Sequence, residues 1–218
     1  MTGFVESEVT CAVCGCVNHV RRPDGRNAYG SADLDTRPPE TLRSALPLQV
    51  QCCVSCGHCA RDLGVALAGA DAAVAEDDYR ALLDDPALPD KAAEFLCRAR
   101  IEAGAGALAE SFWATLAAAW VADDAQDEAG AEACRRLAVA ALRMARAAGR
   151  RLGEQPGTDA AIEVDLLRRA GAFAEASRCI RVALAGPLPE VIAQVLRFQH
   201  DLVAERDRAA HLLSEALA

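Results

Sequence analysis

The sequence predicts a mainly α-helical protein with a small, cysteine-rich β region at its N-terminus, on three grounds. From residue 89 to 218 apolar side chains recur every three to four positions, punctuated by Gly and Pro. That is the spacing of helices buried along one face. The composition agrees: 52% of residues are hydrophobic, only 4% are aromatic, and alanine, the strongest helix former, is abundant. Seven of the ten cysteines lie within the first 59 residues, among turn- and strand-forming sequence. At 218 residues the chain can bury a full core. Its composition divides into 1–60 and a helical 61–218, expected to pack as one unit.

Two segments of the first region share one form, Cys11-Ala12-Val13-Cys14-Gly15 and Cys53-Val54-Ser55-Cys56-Gly57. Two residues between thiolates let both sulfurs face one ion, and the glycine after the second Cys supplies a positive φ without strain. Four thiolates from two such knuckles close a tetrahedral site, so Cys11, Cys14, Cys53 and Cys56 are the expected ligands of one structural Zn2+. Glu8-Val9-Thr10 and Leu48-Gln49-Val50-Gln51 read as short strands leading into the knuckles, and pairing them with each other would make a zinc ribbon. A thiol-redox role fits less well, because neither CxxC opens a helix beside a βαβ pattern. An iron–sulfur cluster also takes four cysteines, but paired knuckles favour a single ion. Cys16, His19, Cys52, His58 and Cys59 are surplus to one site. They are read as neighbours of the ligands or as packing groups, with a second metal site as the alternative.

The connecting segment 21–47 is polar, rich in Asp, Arg and Pro, and lacks periodicity. Asp33, Asp35 and Arg37 within it are expected to be solvated and locally paired, the alternative being a binding element on a stiff loop.

Residues 61–88 read as helical, broken by DDPALPD at 84–90. Pro89-Asp90 opens the next helix, which Gly104 and Gly106 end, and a further helix spans about 107–122. Asp123 to Asp127 supply the acidic start of a long helix to about Arg151. Arg143, Arg146, Arg150 and Arg151 at its end complement the helix macrodipole; an anion site is the less favoured reading. Thr158 is a candidate N-cap for the helix after GEQPGT. In DLLRRAGAFAEASRCIRVALAGPLPE (165–190), a turn glycine, an aromatic two residues on and a small residue three further resemble the second half of a tetratricopeptide (TPR) repeat. An ordinary helical bundle is the alternative. Phe112, Trp113, Trp120 and Phe173 are the expected core or inter-helix aromatics. The fold class is thus a four-cysteine zinc ribbon followed by antiparallel TPR-like helical hairpins.

The order CxxCG, SADLDTRPPE and QCCVSCGHCA, with the later AAAWVADDAQDE (117–128) and DLLRRAGAFAEA (165–176), resembles a bacterial family of uncharacterised zinc-ribbon proteins with TPR-like helical tails. The resemblance implies zinc on Cys11, Cys14, Cys53 and Cys56 and a helical scaffold, and it implies no activity. The chain departs from the family's knuckles at Ala12, Val54, Ser55 and His58-Cys59.

Function follows by class. No GxSxG, HExxH, P-loop or GxGxxG arrangement is present, so an enzyme is not expected. Arg21, Arg22 and Arg26 make a small basic patch, but Tyr29 is the one aromatic nearby for base stacking, and the net charge is −9. Nucleic-acid association is therefore the alternative rather than the expectation. No apolar run is long enough to cross a membrane, and the N-terminus has no secretory pattern. The reading that remains is a cytoplasmic adaptor binding a protein or peptide partner, with self-association as a second mode.

Overall fold

The structure is a computed structural model that describes residues 4–25 and 28–218. It is mainly helical with short N-terminal strands, and among the described residues no helix is long and apolar enough to cross a membrane. Arg26 of the basic patch lies outside the described residues.

The first seven described residues form β1 (Phe4–Thr10), which pairs antiparallel with β2 (Val17–Pro23), Thr10 facing Val17 across the first knuckle. A second hairpin pairs β3 (Gln51–Cys52) with β4 (Cys59–Ala60) across the second knuckle. The two expected strands therefore do not pair with each other. A CxxCG knuckle is itself a chain reversal, so each closes a hairpin with the residues that follow it. The stretch Leu46–Gln49 is a 3-10 turn rather than a strand, with Pro47, which has no N–H to give a ladder, in its first turn. Cys11, Val20, Cys53 and Leu63 form the small core beneath the hairpins.

Residues 61–69 are irregular, and the predicted helix there shrinks to α1 (Ala70–Ala73) and α2 (Asp77–Leu83). The DDPALPD break stands between α2 and α3 (Asp90–Gly104). Then follow α4 (Leu108–Asp124), α5 (Glu128–Ala147), α6 (Thr158–Arg169), α7 (Phe173–Leu184), α8 (Glu190–Ala204) and the single-turn α9 (Leu213–Ala216). Consecutive members of α3–α8 pack side by side through short connections, and α6 also meets α8. Buried Ala114, Ala117, Ala118, Ala119 and Ala122 keep α4 slim, so α3 and α5 approach it closely.

Two helix starts differ from the sequence reading. Asp123 and Asp124 end α4 instead of opening α5; the cap of α5 is Asp127, whose carboxylate accepts the Gly130 N–H at 3.0 Å. Thr158 is the first residue of α6, and its cap is Gly157 at φ 88°. Here Asp159 does the capping work on the loop, accepting the N–H groups of Leu152 (3.2 Å) and Gly153 (2.9 Å).

Of the predicted core aromatics, Phe112, Trp120 and Phe173 are buried, and half-buried Trp113 meets Phe112 edge-on at 4.8 Å. Arg143 and Arg146 are more than macrodipole complements. Arg143 pairs with Glu163 (2.7 Å) and Glu175 (2.8 Å), and Arg146 with Glu163, tying α5 to α6 and α7.

The largest departure from the sequence reading concerns residues 31–37. Asp33, Asp35 and Arg37 are not solvated: all three are buried, although the expected local pairing holds in part, with Asp33 against Arg43 and Asp35 accepting the Arg37 N–H. This strap runs beside the C-terminal segment. Leu34 donates its N–H to the His211 carbonyl (2.9 Å), and Leu213 donates to the Ala32 carbonyl (2.7 Å). Asp35 then accepts from the Trp120 indole N–H on α4 (2.9 Å) and the Arg169 guanidinium on α6 (3.1 Å). Arg37 pairs with Asp124, and Asp123 gathers Arg135 and Arg169. A buried carboxylate needs donors from several directions, and the ends of α4 and α6 supply them.

The far side of the strap carries a titrating clasp. His211 lies 3.0 Å from Asp207 and 2.9 Å from Glu215. Burial pushes its pKa down, but the bonds to Glu215 and Asp207 outweigh that and raise it above the usual imidazole value. Burial pushes Asp207 up, yet the Ala209 N–H and His211 hold it below the usual carboxylate range. The His211 contribution is complete below the unfolded imidazole pKa and fades as pH rises through the raised folded value. The Asp207 contribution is complete above the unfolded carboxylate pKa and fades on acidification. Raising the pH from about 6 to about 9 is therefore expected to speed exchange of the Leu34 and Leu213 amides beyond the intrinsic rate increase, by less than about 1 kcal/mol of protection. His211→Gln should flatten that dependence in a hydrogen-exchange profile.

Candidate metal centre

The two hairpins aim their turns at each other, and this brings together all four predicted ligands. The sulfurs of Cys11, Cys14, Cys53 and Cys56 lie within 4.8 Å of one another. Across the hairpins, Cys11 Sγ is 3.8 Å from Cys56 Sγ, and Cys14 Sγ is 3.6 Å from Cys53 Sγ. A tetrahedron with metal–sulfur bonds of about 2.3 Å has edges of about 3.8 Å, so the sulfurs already sit at ligand spacing. Among the described residues this is the one group of three or more Cys, His, Asp or Glu side chains close enough to hold an ion.

Each knuckle is built alike. Gly15 donates its N–H to the Cys11 carbonyl (2.8 Å), and Gly57 donates to the Cys53 carbonyl (2.9 Å). Both glycines have positive φ, 76° and 74°. Cys11 then donates its N–H to the Cys16 carbonyl, and Cys53 to the His58 carbonyl, closing each turn onto its return strand. Turn amides also point at the sulfurs. Burial pushes the Cys53 thiol up, but the N–H groups of Cys56 and Ser55, with the Asn18 amide and Cys14, outweigh it and bring it down to about 6. Burial raises Cys11 and Cys56, and the neighbouring sulfurs add to the rise at Cys56. Adding one thiolate to a cluster that already holds another is costly, which is the repulsion a cation removes.

The knuckles differ at their glycines. A Cβ on Gly15 would meet nothing within 4 Å, whereas one on Gly57 would lie 2.9 Å from Leu83 Cδ2 of α2. Gly15→Ala is expected to cost about 1–2 kcal/mol from backbone conformation alone. Gly57→Ala should cost more, since Leu83 must also move. Denaturant unfolding of metal-loaded protein measures both, and equal losses would contradict the packing difference.

The surplus residues separate by position. His58 is buried with Nδ1 3.7 Å from Cys11 Sγ, and it supports a ligand without joining the four sulfurs. Cys59 is buried in the helical core, where the Tyr79 hydroxyl accepts the Cys59 N–H (3.2 Å) and donates to the Gly57 carbonyl (2.9 Å). Cys52 is half-buried against the same core, the Cys16 thiol donates to the Val17 carbonyl (3.5 Å), and His19 is exposed beside Glu8.

Sequence reasoning missed Asn18. Its Nδ2 donates to the Cys16 carbonyl (2.9 Å) and toward Cys53 Sγ (3.5 Å), and its Oδ1 accepts the Val54 N–H (3.0 Å). One amide thus ties the first hairpin to the second knuckle. The available signal was a polar residue in the first return strand, two positions after Cys16. In the basic patch, Arg21 pairs with Glu6 and Arg22 with Asp62, both at 3.0 Å. Comparison with protein-family models, curated proteins and solved structures finds no match for this chain.

Proposed function

We propose that the chain is a zinc-binding, non-catalytic interaction module, in which a structural zinc ribbon is fixed to a TPR-like helical stack that engages a protein or peptide partner. The spacing of the four sulfurs carries the metal part of this reading, with edges of 3.6 and 3.8 Å. Zinc fits a closed set of four thiolates, which leaves no open coordination position for a substrate. Neither CxxC opens a helix, as a redox pair would, and Arg21 and Arg22 already face carboxylates rather than standing free for phosphates. Stacked helix pairs present extended surfaces suited to peptide or helix recognition, which supports the adaptor role in the cytoplasm.

Metal content per chain, on protein purified without added metal or a histidine tag, tests the first half. One zinc supports it; iron, two ions or none overturns it. The second half is tested by light scattering and co-purification from the native host. A partner at fixed stoichiometry supports the adaptor, a mass of two copies replaces it with self-association, and a lone monomer overturns it.

A further inference from the structure

A cavity of about 780 Å3 lies where the hairpins meet α3, and His58, whose Nδ1 is 3.7 Å from Cys11 Sγ, forms part of its wall. Its size is that of a small-molecule site, and such sites combine apolar walls with a few placed polar groups. Leu42, Leu48 and Ile101 supply the apolar wall, and exposed Val65 and Leu67 form the lip. Three arginines line it. Arg22 is paired with Asp62, and Arg98 is paired with Glu102 at 2.8 Å while donating to the Gln49 carbonyl (3.2 Å). Arg61 is exposed and, among the described residues, has neither a hydrogen bond nor an ion pair. Against Asp62 and Glu102 the cavity therefore carries one excess positive charge, in a chain whose net charge is −9.

The floor holds a second unmet demand. The Glu102 side chain is nine-tenths buried, one oxygen bonds Arg98, and the other, Oε2, is buried without any partner. A buried acceptor left unpaired costs stability, and this one belongs to a residue of the cavity wall, so a ligand donor that reached it would relieve that cost.

We propose that this cavity binds a small organic anion: an acidic head at Arg61, a hydroxyl or amide donor beside it for Glu102 Oε2, and an apolar body along Leu42, Leu48 and Ile101. Arg61 and Glu102 line the same cavity, so one small ligand can carry the head and the donor together. A 2-hydroxy or N-acylamino carboxylate with a hydrocarbon tail of about eight carbons has that chemistry.

Calorimetric titration of the metal-loaded full chain with 2-hydroxyoctanoate, octanoate and octylamine tests the proposal. The hydroxy acid should bind saturably, octanoate several-fold more weakly, and octylammonium at least about tenfold more weakly. Arg61→Glu should lower binding of both acids at least about tenfold with only a small loss of thermal stability, because exposed Arg61 gives up its charge on Glu102 but no hydrogen bond or ion pair. Val65→Asp at the lip is a second variant that weakens binding without touching the core. Glu102→Gln should abolish the preference for the hydroxyl. No saturable binding below about 10 mM, equal binding of the amine, or an unchanged affinity in Arg61→Glu would overturn the site. A hydroxyl preference that survives Glu102→Gln would overturn the role of that carboxylate. None of these failures touches the metal count, so the zinc reading stands or falls separately.

Discussion

Replacing Asp35 with alanine is expected to destabilise the protein by about 3–5 kcal/mol, the penalty for removing one member of a buried ion pair. The Asp35 side chain is fully buried and accepts three hydrogen bonds: from the Trp120 indole at 2.9 Å, from Arg169 at 3.1 Å and from the Arg37 backbone N–H at 3.1 Å. Its loss leaves a buried guanidinium supported by Asp123 alone and an indole N–H with no acceptor. Trp120→Phe removes one donor while keeping most of the ring volume, so it should cost less, about 1–3 kcal/mol. Urea midpoints measure both. If Asp35→Ala unfolded at the wild-type midpoint, the strap would not be docked on α4 and α6 as described.

The double substitution Cys53→Ser with Cys56→Ser should abolish metal binding and unfold the first hairpin, loosening the second, while most of the helical signal survives. Structural zinc supplies on the order of 10 kcal/mol to small metal-binding folds. The first hairpin has little else: the small core of Cys11, Val20, Cys53 and Leu63 and a two-stranded ladder that is marginal alone, whereas the second is also held to the helical core through Cys59 and Tyr79. The helical core from Phe95 to Val203 has its own packing and does not depend on those sulfurs. Metal analysis, far-UV circular dichroism and hydrogen exchange resolved by segment read the outcome. Full protection of β1 and β2 without metal would show that the first hairpin folds on its own packing.

The helices from Asp90 onward were legible because their signals are local. Apolar spacing marks the buried stripe of α7, and the glycine and proline breaks fall where α3 and α7 end, at Gly104 and at Gly186-Pro187. The four ligands were legible for the same reason, since CxxCG is a turn whose residues do their work within five positions. Partners across the fold were not. Asp35 meets Trp120 and Arg169, which lie 85 and 134 positions away, and a polar segment without periodicity gives no local sign of burial. Arg168 and Arg169 lie in the last turn of α6, where a basic residue gives no local sign of burial, and both are buried. Strand pairing failed for a different reason. The two knuckles look alike, and likeness suggested that they pair with each other, whereas each turn had already chosen its partner in the residues that follow.

The strap also sets an order on synthesis. Residues 31–37 leave the ribosome before any of α1–α9 exists, and Asp35 waits 134 positions for Arg169. The sulfur cluster is complete by Cys56 and can take its ion while the rest of the chain is still being made. A nascent chain ending before α6 would carry a finished metal centre, an undocked acidic strap and a Trp120 with no fixed acceptor. Docking of the strap is therefore a late event, in which α6 and the segment around His211 close over residues made earlier.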